Sequence, residues 1–421
     1  MKATDLEGRE QICWYQQGLG TGSFSLAKVQ QLALGEGLDQ NVKLIYSRIA
    51  PQSASSSQPA ASSSKVQQAQ PDAFASGIWR PGDMLSFFGF SRGAATARLA
   101  ANFIATMGFR VDGQGPPDEV DSLFEQWLGI KESTDFKLPS GFEIPKFGCV
   151  GVFDTVLGSG VPASTQKILY PGAATTTPPL QSKCLVLNAN IQYAFHALAL
   201  HEQRQGFLPL IIERKIPAQT IVQTWFIGKH SDVGGGAQTG KPDPGLANAA
   251  LRWMLARLVD IGIGVALEDV AGNQSLVIPP EQAGQGHVRT QGKLTAAIEG
   301  GAEKPRTPGL YAPGLETVHI SVRNQGLLNN ADVPTDPALS ILIGKAEGQD
   351  KTFVWERQGP RGMIYMPEDS KIAPDGSALR SQSKAAPGSL GQTAPVFPVP
   401  NASNPAGTVP RRGQTGASQG V

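Results

Sequence analysis

A chain of 421 residues with 40% hydrophobic side chains can bury one large α/β core, while 49 glycines and 32 prolines add polar, backbone-breaking segments to it. A formal charge of +1, from 36 Lys and Arg against 35 Asp and Glu, lacks the clustered basic excess of a nucleic-acid surface, so no nucleic-acid partner is expected. No run of 18 apolar residues could span a membrane and no secretory signal opens the chain. Cys13, Cys149 and Cys184 form neither a zinc spacing nor a disulfide framework, which predicts a soluble protein of a reducing compartment, placed in the cytoplasm.

In chain order, Gly18-Leu-Gly-Thr-Gly22 is a glycine-rich turn that lacks the Lys-Ser/Thr of a phosphate loop, so no nucleotide cofactor is expected. Residues 51–76 are mostly Ser, Gln, Ala and Pro and read as a disordered insertion. Met84–Gly89 is an apolar strand, followed by a helix whose face carries Leu99, Phe103 and Met107. Cys149–Phe153 is a second strand, closed by Asp154. Tyr170–Thr177 reads as a loop, and Asn190–Gln203 carries Ile191, Phe195 and Leu198 at helical spacing. Thr220–Ile227 is a third strand; Leu246, Ala250, Trp253, Met254 and Leu258 share one helical face; Thr317–Val322 is a last strand. Strands alternating with helices predict an α/β fold, a mostly parallel sheet with helices on both faces. Residues 1–365 form the expected catalytic domain, and 366–421, with Phe397 as the single aromatic, a disordered tail.

Gly89-Phe90-Ser91-Arg92-Gly93 is the sharpest chemical signal. A serine between two glycines, after a strand and before a helix, is exposed at the sheet edge beside a helix N-terminus. The backbone N–H of Arg92 would be an oxyanion donor. A nucleophilic serine needs a base and an orienting acid, and reactive groups gather at the carboxyl ends of parallel strands. Asp154 and His230 follow two such strands, giving the order Ser91, Asp154, His230. Asp232 is an alternate acid, with a turn-capping role as its other reading, and His319 is an alternate base. His196 reads as a packed histidine. It does not share a helix face with His201, so no metal site is expected. His287 sits in a polar loop. Asn273 and Asn401 fit the glycosylation pattern but carry little without a signal peptide.

Gly89-Phe-Ser-Arg-Gly-Ala94 with Arg98, Gly151-Val-Phe-Asp154-Thr-Val, His196-Ala-Leu-Ala-Leu and Trp225-Phe-Ile-Gly-Lys-His230-Ser-Asp-Val-Gly-Gly-Gly236 occur in that order. Together with Tyr15–Gly22, Gly37-Leu38 and His319-Ile-Ser-Val, they resemble an α/β-hydrolase family related to the catalytic domain of type VI secretion phospholipase effectors. The resemblance covers roughly residues 10–325. It implies ester hydrolysis, with a small ester or lipid substrate and the serine, acid and base on Ser91, Asp154 and His230; peripheral membrane contact is a reading of the apolar segment Phe207–Ile212, which a buried strand explains equally well. Members of that family begin with a strand ending in an Asp-Gly-Thr turn, and this sequence starts after it, so a missing first strand is expected. A catalytically impaired or truncated hydrolase-fold protein, acting as a binding module, is therefore the alternative. His201 departs from the acid usual before Glu202. The Ser/Gln insertion and tail look fungal-like, and no toxin module accompanies them.

Overall fold

Met84–Phe90 and Lys146–Phe153 are runs too short for buried helices and rich in aromatic and β-branched side chains, and both are strands. The computed structural model describes residues 2–4, 10–16, 37–51, 77–112, 119–131, 136–157, 178–204, 207–235, 245–264, 288, 305–312, 314–324, 339–344 and 352–370. The insertion at 52–76, the Gly18–Gly22 turn, the Tyr170–Thr177 loop, Asn273, His287 and the chain from 371 onward lie outside the described residues. All described residues fall in one unit, residues 1–384.

The elements are β1 (Lys2–Thr4), β2 (Glu10–Ile12), α1 (Leu38–Ile49), β3 (Met84–Phe90), α2 (Arg92–Met107), β4 (Phe109–Arg110), α3 (Glu119–Gly129), β5 (Phe142–Glu143), β6 (Lys146–Phe153), α4 (Pro178–Leu185), β7 (Tyr193–Ala199), β8 (Thr220–Phe226), α5 (His230–Gly234), α6 (Gly245–Asp260), β9 (Glu316–His319), α7 (Ile320–Asn324), β10 (Leu339–Gly344), β11 (Thr352–Gly359) and β12 (Gly362–Asp369). The main sheet has the order β10-β11-β12-β9-β8-β7-β6-β3. Its pairs from β12 through to β3 are parallel, and only β10-β11-β12 run antiparallel. Among the described residues β3 is the terminal strand, paired with β6 alone. Register brings the strand ends level: Phe90 lies opposite Phe153, and Phe153 opposite Ala197.

Because successive strand residues point to opposite faces, one strand feeds two cores. Val150, Val152 and Ala194 join a cluster with α1, α2, α3 and α4 on one face. Cys149, Phe195 and Ala197 pack with Trp253 and Met254 of α6 on the other. Helices therefore cover both faces of a mostly parallel sheet. The alanine-rich sequence of α2 favours helix and leaves its backbone close to β3 and β6. Among the described residues, no helix is long and apolar enough to cross a membrane.

Three expectations change. Residues 193–199 form strand β7, not part of a helix, because both faces of the strand are buried and a run that is apolar at nearly every position but His196 mimics any period. Thr317–Val322 is a shorter strand, ending at His319 where α7 begins. The ordered chain also runs past 365: Met366 is buried in the core with Trp355, and Asp369 accepts from Trp253 Nε1 at 2.9 Å and pairs with Arg257. Each fully buried side chain of that size contributes about 1.5–3 kcal/mol, enough to hold β12 on the sheet edge formed by β9.

Candidate active site

Ser91 follows the last residue of β3 and sits at φ 60° and ψ −126°, a conformation that costs a non-glycine residue about 1–3 kcal/mol. Gly89 makes that turn possible, since a Cβ there would lie 2.6 Å from the Gly93 carbonyl carbon and 2.7 Å from Ala94 Cα. Gly93 is different, because a Cβ there meets nothing within 4 Å. Only the first glycine of the motif is demanded by space. Arg92 then opens α2, which places its backbone N–H at the positive end of the helix.

Asp154 follows β6 and also has positive φ, 40°. It is fully buried and its carboxylate has many donors. Ala199 N donates to Oδ1 at 2.9 Å, Arg306 Nη1 to Oδ1 at 2.5 Å and Arg306 Nη2 to Oδ2 at 3.0 Å. Burial pushes its pKa up, but the Arg306 charge and the His230 and Arg306 hydrogen bonds outweigh it and hold the carboxyl well below the usual carboxylate range. Ionised, it can only accept. His230 Nδ1, 2.6 Å from Asp154 Oδ2, therefore carries the proton of that bond. This leaves Nε2 with its lone pair facing Ser91 Oγ at 2.8 Å, so the serine hydroxyl donates to it. Phe90 lies against one side of the imidazole, centroids 4.6 Å apart, and Phe207 meets it edge-on at 4.9 Å.

The turn that presents His230 is built from close contacts. Gly228 has φ 114°, and a Cβ there would sit 2.6 Å from Asp232 Cβ. A Cβ on Gly234 would run into the Phe90 ring, at 2.5 Å from Cζ. Asp232, the alternate acid, accepts from Lys229 N at 2.9 Å and so caps the start of α5 rather than the glycine turn beyond it. His319, the alternate base, is buried, stacks on Phe226 at 4.4 Å and lies 2.9 Å from Ser321 Oγ. Both are thus engaged in contacts apart from the hydrogen bond that His230 makes with Ser91. His196 is packed: its Nε2 accepts from Thr155 N at 3.1 Å and its Nδ1 faces Gln223 Oε1 at 3.3 Å, which props the turn after Asp154. His201 Nδ1 accepts from Gly228 N at 2.9 Å and fastens the end of β7 to the turn before His230. Burial holds both neutral, lowering His196 to about 3 and His201 to about 4, with the Arg98 charge also acting on His196 and that of Lys229 on His201. Arg98 donates to Cys184 O at 2.5 Å and Ile211 O at 3.1 Å, a cation on the carbonyl end of α4.

Arg306 was reached by no motif, since a lone arginine in a polar stretch carries no pattern. An open cavity of about 460 Å³, with Asn102, Trp127, Lys131, Lys183 and Lys215 in its wall, lies beside α2, α3 and α4 and includes none of the residues of the Ser91 row.

Comparison with known proteins bears on the same segment. The family model of the type VI secretion phospholipase effector Tle1-like catalytic domain matches residues 61–257, a little under half of the chain. Two solved structures are similar over part of their length. One is the Tle1 effector bound to the VgrG spike from the type VI secretion system, 25% identical, covering 38% of this chain and 26% of that one, with a TM-score of 0.19. The other is an uncharacterized protein from Pseudomonas aeruginosa, 21% identical, covering 47% of this chain and 26% of that one, with a TM-score of 0.27. The chain thus spans about a quarter of the length of each. No curated protein matches it. Over residues 61–257 this α/β chain is similar to the Tle1-like phospholipase effector catalytic domain, the family its ordered motifs resemble.

Proposed function

We propose that the chain is a serine hydrolase of carboxylic esters, with phospholipids as the substrate class. The observation that carries this is the hydrogen-bonded row Ser91 Oγ, His230, Asp154 at 2.8 and 2.6 Å, at the level carboxyl ends of parallel strands. The similarity of residues 61–257 to a phospholipase effector catalytic domain supports the lipid ester as substrate.

In this reading Ser91 Oγ attacks the ester carbonyl carbon while its proton passes to His230 Nε2. The Arg92 N–H and the N-terminus of α2 face the oxyanion that forms. Collapse of the tetrahedral species expels the alcohol, which takes the proton from His230. Water then repeats the sequence on the acyl-enzyme and releases the carboxylic acid. Asp154 orients the imidazole throughout and stays ionised. Phe90 and Phe207 keep water from the ring faces.

Fluorophosphonate labelling of the full chain, beside Ser91→Ala and a heat-denatured sample, tests the reading. Labelling that needs both the fold and Ser91, with turnover of a p-nitrophenyl ester and of phosphatidylcholine vesicles, is the expected result. A folded chain that neither labels nor turns over ester overturns it and leaves the binding module as the better reading. Cytoplasmic action is proposed alongside, from three cysteines without a disulfide framework, and a fluorescent fusion found elsewhere would reject it.

A further inference from the structure

Arg306 lies beyond residue 257, outside the segment similar to the effector family, yet its buried guanidinium makes four hydrogen bonds at the centre of the site. Its two terminal nitrogens meet both oxygens of Asp154. The same nitrogens also donate to Ala199 O at 2.7 Å and to Phe207 O at 2.6 Å. One side chain therefore joins the acid at the end of β6, the end of β7 and the loop whose aromatic ring covers His230. A planar fork that meets both oxygens fixes the carboxylate in rotation as well as in place, which a point charge cannot do.

The charges follow from the same contacts. A carboxylate this deeply buried needs a counter-charge, and the Arg306 guanidinium supplies it. The other charged groups near His230 are largely paired. Glu202 Oε2 accepts from His230 N at 3.4 Å and is itself held by Arg204 at 2.8 and 2.9 Å. Asp232 caps α5 beside Lys229, and His196 sits neutral behind Thr155. Phe90 and Phe207 are apolar neighbours of the ring.

We infer that Arg306 is the positioning residue of the site: it locks the Asp154 carboxylate against His230 and supplies the counter-charge that the buried carboxylate needs. This rests on the hydrolase reading for its kinetic consequence, but not for its structural one.

Full-length Arg306→Met and Arg306→Lys, compared with the unaltered chain, provide the test. The first readout needs no activity: the low-field proton NMR signal of His230 Nδ1–H, assigned with His230→Gln. Arg306→Met should broaden or abolish that signal. In ester turnover it should lower kcat about tenfold with little change in KM, through loss of alignment. Arg306→Lys keeps the charge but loses the planar fork, so kcat should still fall. A folded Arg306→Met with the signal and kcat unchanged overturns the inference. Should that variant not fold, Arg306→Lys decides, and unchanged kcat and signal in it overturn the inference equally. A lost signal in a chain that never turned over ester keeps the positioning role and rejects the hydrolase reading instead.

Discussion

Two neighbouring parallel strands, β3 and β6, end in the same unusual way, on a non-glycine residue with positive φ, yet the two turns are held by different means. The turn at Ser91 is local. Gly89 removes a Cβ that would run into Gly93 and Ala94, and α2 starts at once. The turn at Asp154 has no glycine beside it in that role and is held from far along the chain, by Ala199, His230 and Arg306. Local sterics leave a mark in a short motif, whereas long-range hydrogen bonds leave none. That is why the serine was the easiest residue to find and the arginine the hardest.

Substitutions can break each turn separately. Asp154→Asn should have the largest effect. It removes the acceptor that fixes the His230 tautomer, for a loss on the order of 10⁴ in kcat. It also leaves the Arg306 guanidinium buried without its partner, for about 3–5 kcal/mol of stability. Ester kinetics and urea unfolding of one preparation would measure both. Gly89→Ala strikes the local turn: the added methyl meets backbone on two residues, so a loss of about 3 kcal/mol is expected in the same unfolding experiment. Gly93→Ala is the control for it. The space there is open and the position is helical, so the variant should melt at or above the original temperature, with a gain of up to about 1 kcal/mol.

A smaller effect sharpens the long-range side of the comparison. His196 and His201, which prop the turns at Thr155 and Gly228, have folded values of about 3 and about 4, below the ordinary 6.5. The unfolded chain therefore binds the extra protons. Their contribution is intact above pH 6.5 and is lost as the pH falls through the folded values, each at up to about 1.4 kcal/mol per pH unit. Thermal melts between pH 7.5 and 4.5 should show stability falling from near pH 6.5. His196→Gln should flatten that slope, and an unchanged slope would argue against a neutral buried His196.

Much of this arrangement was legible in the residues. Strands at Met84, Cys149 and Thr220 announced themselves through short apolar runs, and α2 and α6 through their spacing. Strand β7 did not, because burial on both faces erases the alternation by which a strand is read. The three members of the Ser91 row could be placed at strand ends, but the choice between Asp154 and Asp232, and between His230 and His319, stayed open in sequence. Distance along the chain says nothing of which ends lie level.

What the sequence determined by itself is therefore what short-range physics controls: the alternation of strands and helices, the sharp turn that Gly89 permits, and the helix that begins at Arg92. The tertiary structure alone decided the rest. Parallel register sets Phe90, Phe153 and Ala197 side by side, and so brings Ser91 and Asp154 to a histidine 76 residues past the acid. The guanidinium of Arg306 reaches Asp154 across 152 residues, because burying a carboxylate requires a counter-charge and the fold, not the motif, determines which residue supplies it.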